Sequence, residues 1–76
     1  MRNIVGPKVR EARHRYDPTL TQEELAIRLQ QLGMHIDRVG ISKIETGIRQ
    51  VRDHEIVLLS QALEVSAGWL LGERGG

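Results

Sequence analysis

The chain has 76 residues, with 11 Lys and Arg against 10 Asp and Glu and no cysteine, so neither a disulfide nor a cysteine-ligated zinc can hold it together. At this length there is room for one domain, residues 1–76, with a small core that packed helices or a second copy must stabilise. The longest run of large aliphatics, residues 56–59, is far short of the roughly 20 apolar residues of a membrane span, and residues 1–5 lead into Gly6, Pro7 and charges rather than an apolar stretch, so a soluble cytoplasmic protein without a signal peptide is expected.

Taken in chain order, the elements are all helical. Pro7 suits a first turn, where its missing N–H would have no intrahelical partner. Val5, Val9, Ala12 and Tyr16 recur at helical spacing, and a helix over about residues 7–16 is predicted, broken where Asp17 is forced out of helical angles by Pro18. Thr21 followed three residues later by Glu24 is a capping box. Leu25, Ala26, Leu29 and Leu32 make one apolar stripe, which predicts a second helix from Gln22 to about Leu32, closed by Gly33. Asp37 is placed to cap a third helix, about residues 37–46, with Ile41 and Ile44 on its buried side and Gly47 as its stop. A fourth begins at Asp53, whose charge suits the positive end of the helix dipole, and Ile56, Leu59 and Leu63 make it amphipathic. Ser66 caps a last short turn through Ala67 and Leu71 that carries Trp69 and Leu70. No strand-like alternation of useful length is present. Five helices around one core is the expected architecture.

Charge falls in blocks. Residues 1–15 carry five basic and one acidic residue, 16–37 one and four, 38–52 four and one, and 53–76 one and four. Positive charge therefore gathers at the N-terminal segment and around the third helix. Catalysis finds no such concentration. His14, His35 and His54 lie in different segments without metal-ligand spacing, no glycine-rich phosphate loop is present, and the adjacent Glu23 and Glu24 point in different directions from a helix. No enzyme, cofactor, metal site or small-molecule site is expected.

A capped amphipathic helix, a glycine-containing connection and a short glycine-stopped helix form the arrangement that offers one helix to the DNA major groove. Thr21-Gln22-Glu23-Glu24-Leu25-Ala26 and Ile41-Ser42-Lys43-Ile44-Glu45-Thr46-Gly47 resemble the lambda-repressor-like helix-turn-helix family, also called the Cro/CI or xenobiotic-response-element type. The resemblance continues through Ala62-Leu63-Glu64-Val65-Ser66 and Trp69-Leu70-Leu71, so it covers nearly the whole chain in order. It implies a compact all-α five-helix bundle that binds double-stranded DNA. Gln22 matches a glutamine that in the family reaches a phosphate, a task its backbone N–H at a helix N-terminus would share.

Arg38, Val39, Ser42 and Lys43 match the outward face of the recognition helix, in a sector opposite Ile41 and Ile44. There Arg38 would bind a guanine edge, Val39 touch a thymine methyl, and Lys43 reach a base or a phosphate. Arg13 and Glu45 match a pair that bridges helix 1 to the recognition helix. Arg49 and Arg52 in the following loop, with Lys8 and Arg10 at the N-terminus, are expected at phosphates. The connection of residues 30–36 is longer than the family's usual turn and implies a shifted tilt of helix 3. Gly40, in mid-helix, either permits close approach to DNA or is simply tolerated, at about 1 kcal/mol of helix propensity.

These expectations point to a sequence-specific transcriptional regulator, most naturally a repressor, acting as a homodimer on a pseudo-palindrome with half-sites about 34 Å apart. Trp69 would either contribute to the dimer surface or plug the core. A protein-binding module such as an antitoxin or anti-repressor is the alternative use of the same fold.

Overall fold

Apolar residues three and four apart in each segment converge on one core in the computed structural model, which describes residues 4–73. Its helices are α1 (Val5–Arg15), α2 (Gln22–Gln31), α3 (Arg38–Glu45), α4 (Asp53–Leu63) and α5 (Ala67–Leu70). There is no strand among the described residues. Val9, Leu25, Leu29, Ile41, Ile44, Leu59, Leu63 and Leu70 are all but sealed from solvent. Every helix thus contributes at least one fully buried side chain, and α3 is wedged against both α1 and α2.

The helix starts follow their capping chemistry. Thr21 Oγ1 accepts the Glu24 N–H at 3.0 Å and Glu24 Oε1 accepts the Thr21 N–H at 2.8 Å, completing the reciprocal box at the head of α2. The Thr21 N–H and then its hydroxyl hold the Glu24 carboxyl below the ordinary glutamate value. Asp37 Oδ1 accepts the Gly40 N–H at 2.8 Å, and Ser66 Oγ accepts the Trp69 N–H at 3.0 Å. α1 begins at Val5, two residues before the expected start, and Pro7 still lies in the first turn, where no N–H is needed.

The α2–α3 connection differs most from expectation. α2 stops at Gln31, the chain turns through Gly33 at φ +93°, and the Met34 N–H returns to the Leu29 carbonyl at 2.9 Å. Leu32 is consequently left 41% exposed, while Met34 and Ile36 from the connection occupy the core instead. The Gln30 side chain pins this segment by donating to the Ile36 carbonyl at 2.8 Å. Gly40 acquires an explanation here that neither close approach to DNA nor mere tolerance supplied. A Cβ at residue 40 would lie 2.5 Å from Ile36 Cγ1 and 3.0 Å from its Cδ1, so the long connection itself requires the glycine.

At the far end, Arg28 Nη1 donates to the Ala62 carbonyl at 2.9 Å and to Tyr16 Oη at 3.1 Å, bringing a cation to the negative C-terminal end of α4. The Tyr16 hydroxyl lies 2.7 Å from Glu64 Oε1 and 3.1 Å from the Leu63 carbonyl. Trp69 is half-buried against the core. Lys8 Nζ sits 4.4 Å and Arg15 Cζ 4.5 Å from its ring centroid, so two α1 cations cover the indole.

The Gly40–Ile36 contact makes a test of sign. Gly40→Ala gains about 1 kcal/mol of helix propensity, yet overpacking against Ile36 should leave the protein less stable by about 1–3 kcal/mol net. Urea denaturation measures the difference, and a net gain in stability would show that Ile36 yields freely.

Candidate nucleic-acid interface

α3 carries its two tasks on opposite faces. Ile41 and Ile44 are fully buried, whereas Arg38, Val39 and Lys43 are exposed and Ser42 is half-exposed. The 3.6-residue period brings residues 38, 39, 42 and 43 onto one outward ridge. Asp37 caps the start of that ridge, and Gly47, at φ +84°, ends it.

Behind the ridge lies a bidentate ion pair. Arg13 Nε and Nη2 donate to Glu45 Oε2 and Oε1 at 2.6 and 2.9 Å, with only 8% and 5% of the two side chains exposed. Arg13 Nη1 donates to the Leu20 carbonyl at 3.0 Å, while the Leu20 N–H donates back to the Arg13 carbonyl at 3.1 Å. Gln22 Nε2 adds a third bond to Glu45, 3.2 Å from Oε1. The Gln22 side chain is thus tied to the inner network while it also lines the groove at the head of α2.

Two grooves flank the ridge. One is lined by Arg10, Arg13, His14, Gln22, Ser42, Glu45 and Thr46, and joins α1, the head of α2 and α3. The other runs between the long connection and the loop after α3, and includes Gln30, His35, Val39, Gly40, Lys43 and Arg49. Arg10 and Ser42 therefore line one groove, and Val39, Lys43 and Arg49 the other. Lys8 lines neither. Two residues along a helix are about 200° apart around its axis, and Lys8 lies over Trp69 on the other side of α1 from Arg10.

The loop after α3 is tied down from both ends. The Arg49 N–H donates to the Lys43 carbonyl at 3.1 Å. Arg49 Nη2 donates to Glu55 Oε2 and the Arg52 N–H to Glu55 Oε1, both at 2.9 Å, while the Arg52 side chain is exposed. Burial pushes the Glu55 carboxyl up. The Arg52 N–H, the Arg49 hydrogen bond and the charges of Arg49 and His54 outweigh it, so the group rests below its ordinary value.

His14, His35 and Glu55 were not singled out from sequence as parts of this surface. His14 follows Arg10 by four residues on α1, a spacing that places both on one face. His35 and Glu55 belong to segments whose approach only the folded chain reveals. No group of three or more His, Cys, Asp or Glu able to hold a metal occurs among the described residues, and no described helix is long and apolar enough to cross a membrane.

A capped helix followed by an exposed, glycine-stopped helix with basic flanks defines the class: a helix-turn-helix domain. The helix-turn-helix family model matches residues 18–70, and the chain belongs to this lambda-repressor-like family of DNA-binding regulatory domains. No curated protein and no solved structure gave a significant match.

Two outcomes follow from the buried charges. Arg13→Ala strands the Glu45 carboxylate and should lower stability by about 3–5 kcal/mol in denaturant titration; a loss under 1 kcal/mol would mean water reaches Glu45. Because Glu55 titrates below the ordinary glutamate value of 4.5, its contribution is complete above that value and is lost as pH falls through the lower, folded one. Glu55→Gln should therefore flatten the acid limb of the stability–pH curve, and an unchanged limb would contradict the assignment.

Proposed function

We propose that the protein is a sequence-specific, double-stranded-DNA-binding transcriptional regulator, a cytoplasmic repressor that places α3 in the major groove. The observation that carries this reading is the α3 ridge. Four outward positions, Arg38, Val39, Ser42 and Lys43, stand on a helix whose reverse face is locked by Ile41, Ile44 and the Arg13–Glu45 pair. Such a helix presents side chains to base edges without first having to order itself, which lowers the entropic cost of binding. Arg38 reads a guanine edge through its guanidinium fork, Val39 packs on a thymine methyl, and Ser42 and Lys43 read or brace neighbouring positions.

The flanking grooves suit the sugar–phosphate strands on either side of the major groove. Arg10 and His14, with the Gln22 backbone N–H at the head of α2, take phosphates on one side; Arg49 and Arg52 take them on the other. Lys8, turned toward Trp69, is left out of this set. A module of this size buries only about 600–1,000 Å² on DNA, which favours two copies on a pseudo-palindromic site with half-sites about 34 Å apart.

Selection of sites from a random duplex library, followed by affinity titration over a range of salt, tests the reading. Arg38→Ala should lose about 1–3 kcal/mol at one base position and relax the preference there. Arg52→Ala should weaken all sequences alike and reduce the log–log salt slope by about one. If Arg38→Ala selects the same sites with the same stringency, α3 is not the reading head.

A further inference from the structure

Glu55 is a buried carboxylate in the first turn of α4, outside the recognition helix and its immediate loop, and the DNA-binding reading gives it no task. Its two oxygens are divided. Oε1 takes the Arg52 N–H and Oε2 takes Arg49 Nη2, each at 2.9 Å. The side chain is only 10% exposed, against 35% for Arg49. A carboxylate fixed by a backbone donor cannot follow a moving partner, so it holds one edge of the Arg49 guanidinium in place.

The other edge is unfinished. Arg49 Nη1 is the buried side-chain nitrogen with no hydrogen-bond partner among the described residues. Solvent does not reach that atom, so water does not serve it either, and a dry donor without an acceptor is costly to maintain. Yet Arg49 also lines the groove beside α3, together with Val39, Gly40 and Lys43. About a third of its side-chain surface remains open, and presenting Nη1 to that groove requires the guanidinium to turn about its Nη2–Glu55 hydrogen bond. An anionic oxygen arriving there supplies the acceptor that the described residues do not.

We propose that Glu55 is a positioning residue for DNA binding: it anchors Arg49 by Nη2 so that the unpartnered Nη1 is delivered to a phosphate of the strand lying in the groove beside α3. This rests on the DNA-binding reading above. The geometry uses what distinguishes arginine from lysine, a rigid fork whose two edges serve two anions at once. Releasing Arg49 completely would strand a buried carboxylate, so Glu55 and the phosphate share the guanidinium rather than compete for it. The deficit at Nη1 exists only in the free protein, and its relief on binding makes this contact worth more than that of a solvated surface arginine.

Five proteins decide the matter: the full chain, Arg49→Ala, Arg49→Lys, Glu55→Gln and the Arg49→Ala/Glu55→Gln double variant, each titrated with a duplex selected from a random library and with an unrelated duplex. Circular dichroism fixes the folded fraction of each. Glu55→Gln keeps an acceptor for the Arg52 N–H and removes the anchor charge. It should weaken both duplexes roughly tenfold per folded molecule, the loss of one charge-assisted hydrogen bond, and lower the salt slope by about one. Arg49→Ala should do the same, and the double variant should be no worse than either single one. Arg49→Lys covers the case in which Glu55→Gln unfolds. A lysine can still neutralise Glu55, so stability should hold, but its single ammonium cannot serve both anions, and binding should fall as far as in Arg49→Ala.

Additive losses, a Glu55→Gln protein that binds as well as or better than the parent, or an Arg49→Lys protein with parental affinity would each overturn the positioning role. Those results leave the DNA-binding reading standing so long as the parent selects a site. A parent that selects none overturns both.

Discussion

The Arg13–Glu45 pair is the constraint on which the arrangement of this protein depends. It joins α1 to the last turn of α3 through two parallel hydrogen bonds, and the remaining amino group of Arg13 ties the α1–α2 turn at the Leu20 carbonyl. Gln22 brings the head of α2 to the same carboxylate. Three helices and a turn are therefore referred to one ion pair. Buried ion pairs add little net stability compared with a well-packed apolar substitute, because desolvation offsets their attraction. Direction is what this one contributes. Apolar contacts from Ile41 and Ile44 tolerate sliding and rotation of α3, whereas a bidentate guanidinium–carboxylate pair accepts few geometries. The outward ridge inherits that precision.

The same economy of charge runs through the rest of the molecule. A tally of basic residues places positive charge at the N-terminal segment and around the third helix, but the folded chain divides those residues by task. Arg13 and Arg49 are bonded to buried carboxylates, Arg28 serves the end of α4, and Lys8 and Arg15 cover Trp69. Arg10, Arg38, Lys43 and Arg52 remain exposed on or near the α3 ridge and its grooves. The exposed positive charge is thus narrower than the charge blocks imply, and it is centred on α3.

What could be read from the sequence was whatever a single element determines. The Thr21–Glu24 box, the Asp37 and Ser66 caps, the glycine stops and the Ile41–Ile44 stripe each depend on residues within a few positions of one another, and helix geometry alone fixes their relation. Leu32 failed because periodicity cannot say where a helix ends; one residue of overrun moved it from core to surface. Gly40 was opaque for a different reason, since its necessity comes from Ile36 in a connection with no periodic signal. Gln22, Arg49 and Glu55 are polar residues whose partners lie on other elements or across a loop, and their pairing is decided only when the helices dock. Arg13 and Glu45, 32 residues apart, were linked beforehand by family resemblance alone.

Membership of the helix-turn-helix family and the geometry of α3 converge on one surface, formed by the head of α2, the α3 ridge and the loop that follows. Elsewhere, Val57 on α4 and Leu71 after α5 are exposed apolar residues. The most direct test is an amide chemical-shift titration of the isotope-labelled protein with a duplex selected from a random library. The largest changes should fall on residues 22–24, 38–43 and 47–52. Changes centred on α4 and α5, with those segments silent, would contradict this reading.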